Sequence, residues 1–188
     1  NVGDLILCGD QDTGAPEQSA SGSVTWVTLS AGDGGFVAVN DSGANSIRFS
    51  SSNSLGAGGF LRRICTAANV CINSAPGFNV VGQGQTIQNF DAGLPLYTPL
   101  VINQIDPTRF IVTSNRVYES TDSLDNLTII VNSLGLDGDG NPIGTSRAIA
   151  YGGRAGGADN AGVLWYGDNQ GALFLRSSGA GAPAQVAG

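Results

Sequence analysis

The chain has 188 residues, 29 of them Gly and 7 Pro, and 41% of it is apolar. That is enough length and apolar content for a core, too apolar for a disordered tail, and the Gly residues lack the period of collagen. The net charge is −7, which argues against nucleic acid and an anionic membrane surface as partners, because both need clustered cations.

The basic residues are all Arg. There is no Lys, His or Met, and thirteen of the fifteen acids are Asp. Without His there is no Ser-His-Asp or Cys-His catalysis and no His-based zinc site. Without Lys there is no Schiff base and no P-loop. Carboxylates, Tyr and Arg remain, and a glycosidase needs little more than two carboxylates. No apolar run approaches the ~20 residues of a membrane span, so no membrane insertion is expected. No signal peptide is visible. An opening of Asn1-Val2-Gly3-Asp4, with no Met anywhere, reads as a processed chain or an internal piece of a longer one.

In chain order, residues 4–8 and 24–29 read as strands of a first unit, and Cys8, inside an apolar run, reads as core. Residues 35–39, 46–51 and 60–64 read as three more strands, with Asn40-Asp41-Ser42-Gly43 as the first turn. Cys65 and Cys71 then lie six apart. They are either a local disulfide, which implies an oxidising compartment, or two small buried thiols.

The clearest unit covers residues 99–131. A short apolar strand over 99–103 leads to the turn Asp106-Pro107, where Pro presets φ and Asp bonds the local backbone. Residues 110–113 form a β-branched strand, Ser114-Asn115 turns the chain, and 116–121 and 127–131 are two more strands. Four short strands joined by tight turns match one β-propeller blade. Farther on, Asp137, Asp139 and Asn141 place oxygen ligands at positions 1, 3 and 5 of a loop, as calcium loops do. Pro142 and Ala148 stand where an EF-hand has Gly and Glu, so only a partial Ca²⁺ loop or a solvated connection is open. Residues 146–151, 162–166 and 172–177 are strands, with Asn169-Gln170-Gly171 as a hairpin signal, and the chain ends in a small-residue tail after this third strand. Third strands over 48–51, 117–120 and 173–177 overlay, each with an aromatic residue shortly before Ser. The expected fold is therefore all-β, with three to four blades of four-stranded antiparallel meanders over residues 1–30, 31–72, 95–133 and 145–188. A closed propeller of six to eight blades at about 45 residues each needs more chain, so these blades are expected to belong to a larger propeller, completed by other blades of the same protein or by another subunit.

Residues 119–127, Glu-Ser-Thr-Asp-Ser-Leu-Asp-Asn-Leu, resemble the Asp-box of sialidase repeats, Ser-x-Asp-x-Gly-x-x-Trp. Ser120 and Asp122 match, Leu124 replaces Gly and Leu127 replaces Trp. Ser51-Ser52-Asn53 looks like a weaker copy. Gly9-Asp10-Gln11-Asp12-Thr13-Gly14 and Gly32-Asp33-Gly34-Gly35-Phe36 resemble turns of the sortilin-type and xyloglucanase-type propellers of the same superfamily. The resemblance covers most of the chain and implies fold rather than function. It implies a structural role for Ser120 and Asp122, on the outer edge of a blade. In xyloglucanase-like propellers a stretch like that around Asp33 carries a catalytic acid or base, which makes Asp33 the one catalytic candidate. It would need a second carboxylate across a cleft, and Asp10 and Asp12 are near it only in sequence. A sialidase site needs three converging arginines and a Tyr–Glu pair. Adjacent Arg62 and Arg63 point to opposite faces of a strand, and the Phe-Arg-Ile-Pro motif is absent. Two functions follow as expectations. One is a non-catalytic module of a larger secreted or cell-surface protein, binding protein or glycan or building an extracellular assembly. The other is a fragment of a glycoside hydrolase whose site other blades complete.

Overall fold

The computed structural model describes residues 4–52, 55 and 59–186. Asn53, part of the weaker Ser-Ser-Asn copy, lies outside the described residues. The fold is all-β, with several antiparallel sheets and one four-residue helix. The chain divides into two compact units, Asn1–Pro76 with Pro95–Thr98, and Gly77–Leu94 with Pro99–Gly188.

In the first unit, β1 (Pro16–Gln18) and β2 (Trp26–Thr28) form a two-stranded antiparallel sheet. The apolar run at 5–8 only touches it. Cys8 N–H donates to Pro16 O at 3.0 Å, Gln18 N–H donates to Ile6 O at 3.0 Å, and Leu7 bridges Glu17. Among the described residues, the stretch expected as a blade over 1–30 thus forms two strands and a bridge, not a four-stranded meander. The loops Gly9–Gly14 and Ser19–Ser23 leave only three-residue strands between them, and Pro16 has no N–H to donate. The next four strands follow the alternation of the sequence. They are β3 (Gly34–Asn40), β4 (Ser46–Ser52), β5 (Phe60–Cys65) and β6 (Cys71–Asn73), paired antiparallel in chain order. β4 is thus a second strand, so its overlay on the other two third strands does not hold: Ser51 Oγ donates to Phe36 O on β3 at 3.1 Å.

The second unit begins with β7 (Asn79–Val80), β8 (Gln85–Thr86) and α1 (Ile87–Phe90). A meander of β9 (Leu100–Ile102), β10 (Phe110–Thr113), β11 (Val117–Ser120) and β12 (Asn126–Val131) follows. β7 joins its β12 edge in parallel. The last meander is β13 (Thr145–Ala155), β14 (Ala158–Asp168), β15 (Leu173–Arg176) and β16 (Ala184–Gln185). The tail expected to follow a third strand thus supplies a short fourth one.

All eight residues of β10 and β11 are buried, so the centre of this sheet is covered on both faces. One face, through Ile111 and Val117, meets Tyr151, Leu164 and Tyr166 of the last meander, with Val101, Ile149 and Phe174 around them. Tyr166 and Phe174 stack with ring centroids 4.7 Å apart. Each such fully buried side chain contributes roughly 1.5–3 kcal/mol, and this packing anchors the turns described next. Among the described residues, no helix is long and apolar enough to cross a membrane.

Candidate functional site

Asp33 sits where two glycine-rich turns lock together. Asp10 and Gly14 exchange backbone hydrogen bonds of 2.9 and 3.2 Å, and Gly34 N–H donates to Asp10 O at 2.8 Å. The contact is too close for side chains. A Cβ on Gly34 would lie 1.9 Å from Gly14 O, and one on Gly14 would lie 1.7 Å from Ser30 O. The Asp33 carboxylate accepts from Asp12 N–H at 2.9 Å and from Tyr97 Oη at 2.8 Å. These two donors, the Asp12 amide first, hold its pKa below the ordinary carboxylate value. Asp12 takes the left-handed region, φ 66°, to present that amide. The two motifs singled out separately in the sequence are thus one structural element, with Asp33 as its tie. The lowered pKa of Asp33 is opposite in direction to the raised pKa that a general acid needs. A cavity of about 300 Å³ does occur in the same unit, bordered by Leu5, Ser19, Ser21, Arg48, Ala68 and Asn69, and among the described residues no carboxylate lines it.

Ser120 and Asp122 organise the turn between β11 and β12. Ser120 Oγ accepts from the N–H groups of Asp122 at 3.3 Å and Leu124 at 2.9 Å, and lies 2.9 Å from Asp122 Oδ1. Asp122 in turn accepts from Asn126 N–H at 2.9 Å and Asn126 Nδ2 at 2.7 Å. Despite partial burial, Asn126 and Ser120 hold the Asp122 pKa below its usual value. Leu124, at the place where the resembling box has Gly, has φ 77° and is fully buried, and Leu127, at the Trp place, is fully buried as well. The turn is also tied to the residues before β7: Phe78 N–H donates to Leu124 O at 2.9 Å and Gly77 N–H to Asp125 Oδ1 at 3.0 Å. Both oxygens of Asp122 face protein donors, which is the arrangement of a turn support.

Several of the arginines work inward. Glu119 Oε1 accepts from Arg109 at 2.6 Å, Arg176 at 2.7 Å and the Tyr151 hydroxyl, and Oε2 accepts from Arg176 at 3.1 Å. Burial alone would raise the Glu119 pKa, but the hydrogen bonds from Arg176, Tyr151 and Arg109 hold it below the usual value. Burial and Glu119 push Tyr151 up to about 12. Asp91, after α1, is wholly buried and accepts from Ser114 and Tyr118 hydroxyls at 2.6 Å each and Arg116 at 3.1 Å. In the first unit Glu17 pairs with Arg48 at 3.0 Å and with Arg63. Arg62, on the opposite face of β5, donates to Ser74 O at 2.8 Å. Two arginines and a tyrosine therefore do converge on a carboxylate, but it is the protein's own Glu119. Fork-shaped, permanently charged guanidinium groups suit such buried carboxylates, which gives the Arg-only composition a structural use. None of these clusters was visible in sequence, because their members lie 10 to 57 residues apart.

Asp137 closes its own loop. It accepts from Asp139 N–H at 3.0 Å and Asn141 N–H at 2.9 Å, and Leu136 bridges Pro142. The Asn141 amide leads the donors that lower its pKa. Among the described residues, no group of three His, Cys, Asp or Glu side chains stands close enough to hold a metal. Cys65 and Cys71, directly opposite on β5 and β6, form a disulfide with S–S 2.07 Å. That bond is compatible with an extracellular location. Cys8 is a half-buried free thiol.

The class that these features define is an all-β protein of short antiparallel meanders, braced by buried arginine–carboxylate pairs. No protein-family model and no curated protein matches the sequence, so its function is read from this geometry.

Proposed function

We propose that the meanders are blades of a sialidase-repeat β-propeller, and that the chain is a non-catalytic module of a larger secreted or cell-surface protein, serving protein or glycan binding or extracellular assembly. The observation that carries this reading is the repetition of one unit: three four-stranded antiparallel meanders in chain order among the described residues, one of them covered at its centre on both faces as a blade between neighbours is. The Ser120–Asp122 turn between the third and fourth strands supports the resemblance. The use of Asp33 as a tie between two turns supports a non-catalytic role, as does the burial of Glu119 against its own arginines. The disulfide supports the secreted setting.

The test is electron microscopy of the protein in its natural full length. The reading predicts a ring of six to eight blades with these sheets as radial spokes. A two-sheet sandwich or a linear stack would contradict it.

A further inference from the structure

Among the described residues, β2 is the free edge of its sheet. Glu17 lies opposite Val27 and Gln18 opposite Trp26. Ser19 N–H donates to Thr25 O at 3.0 Å, and Leu29 N–H donates to Ala15 O at 2.9 Å. Antiparallel ladders alternate, so the main-chain groups of Val27 turn toward β1, and those of Trp26 and Thr28 turn toward the open side. Residues 24–29, Val-Thr-Trp-Val-Thr-Leu, carry no charge and are all strand formers. Val24 is 93% exposed, Val27 50% and Trp26 41%. Natural sheet edges are guarded by Lys, Pro or bulges against pairing with another chain, and this one carries none of them.

We infer that β2 is a self-association edge. Two copies of the chain pair their β2 strands antiparallel about a twofold axis, giving one continuous sheet of order β1-β2-β2-β1. Two observations select a second copy as the occupant. Each of the other three sheets contains four antiparallel strands paired in chain order, one of them extended to six by β7 and β8, whereas this one has two strands and the Leu7 bridge; isologous pairing doubles its strands to four. A net charge of −7 opposes contact between copies almost everywhere, but this strand is uncharged and Glu17 behind it is neutralised by Arg48 and Arg63. With the axis at Val27, each Val27 faces its twin as a non-hydrogen-bonded pair. Trp26 then lies opposite Thr28 of the second copy, and the two exchange the outward N–H···O bonds that each carries. This is an aromatic–β-branched cross-strand pair of the favourable kind.

The experiment is light scattering on the wild-type chain over a concentration series, with Thr28→Pro and Trp26→Lys as variants. Thr28→Pro removes an outward N–H and leaves the bonds to β1 intact. The expected result is a concentration-dependent rise to twice the 19.0 kDa of one chain, lost in both variants while their circular dichroism stays that of the wild type. In amide exchange, the Trp26 and Thr28 N–H groups are expected to gain protection as concentration rises, a readout that needs no variant. A wild type that stays monomeric up to about 1 mM would overturn the inference. So would a dimer that persists in both folded variants, or one whose formation leaves those two amides unprotected.

Discussion

Replacing Glu119 by Gln tests whether the buried charge cluster holds the second unit together. The side chain keeps its size, but the charge beneath Arg176 disappears, and Arg176 is only 4% exposed with two of its nitrogens on Glu119. A guanidinium cannot shed its proton to relieve the loss. Leaving one partner of a buried pair uncompensated costs about 3–5 kcal/mol. Arg109 is more exposed and adds less. Arg176→Met alone should cost less, since Arg109 and the Tyr151 hydroxyl still hold Glu119, while the double variant removes both charges and should cost at least ~2 kcal/mol less than the sum. The assay is urea unfolding followed by circular dichroism, with the free energies compared in a double-mutant cycle. The acid limb provides a second readout. The native pKa of Glu119 lies below its ordinary value of 4.5. Its stabilisation is therefore fully present above pH 4.5 and is lost as pH falls through the native value. The Gln variant should show a flatter acid limb there. A cost under ~1 kcal/mol with an unchanged acid limb would refute the reasoning.

Three further outcomes are expected. Gly14→Ala places a Cβ 1.7 Å from Ser30 O at φ +81°, so it should destabilise the first unit by more than ~1–3 kcal/mol; unchanged thermal unfolding would show that the two turns separate freely. Leu124→Gly relieves a left-handed backbone worth roughly 1–2 kcal/mol but deletes a fully buried side chain worth roughly 2–5 kcal/mol. Denaturant titration should therefore record a net loss, and a gain would mean that the turn, not the packing, dominates. Reducing Cys65–Cys71, which closes a short loop, should cost about 2 kcal/mol by its length, read as a lower urea midpoint in dithiothreitol; an unmoved midpoint would mean that the β5–β6 pairing stands without the bond.

Local signals were legible where strands are long enough to alternate. The unit over 99–131 follows its β-branched runs, and its Asp106-Pro107 turn forms as the residues dictate, with Thr108 N–H bonding Asp106 Oδ1 at 3.1 Å. The opposite directions of Arg62 and Arg63 followed from the two-residue period of a strand. β7, β8, β16 and α1 were not legible, because two- to four-residue elements set no periodicity and are held by tertiary bonds, as Phe78 is to Leu124. Residues 4–8 have the composition of a strand, yet only a few bonds to β1 hold them there and they form a bridge instead. The mutual fit of the Gly9–Gly14 and Gly32–Gly35 turns depends on backbone approach, which no side-chain pattern reveals. Asp33 could be singled out by its surroundings in sequence; its partner Tyr97, 64 residues away, could not.

The most direct test of the non-catalytic reading is hydrolysis, followed by chromatography of xyloglucan oligosaccharides and sialyllactose incubated with the full-length protein and its Asp33→Asn variant. The account predicts no product from either protein on either substrate, with Asp33→Asn altering only the stability of the Gly9–Gly14 and Gly32–Gly35 turns. Product formed by the wild type and abolished in Asp33→Asn would contradict it, and would make that turn the heart of a glycoside hydrolase.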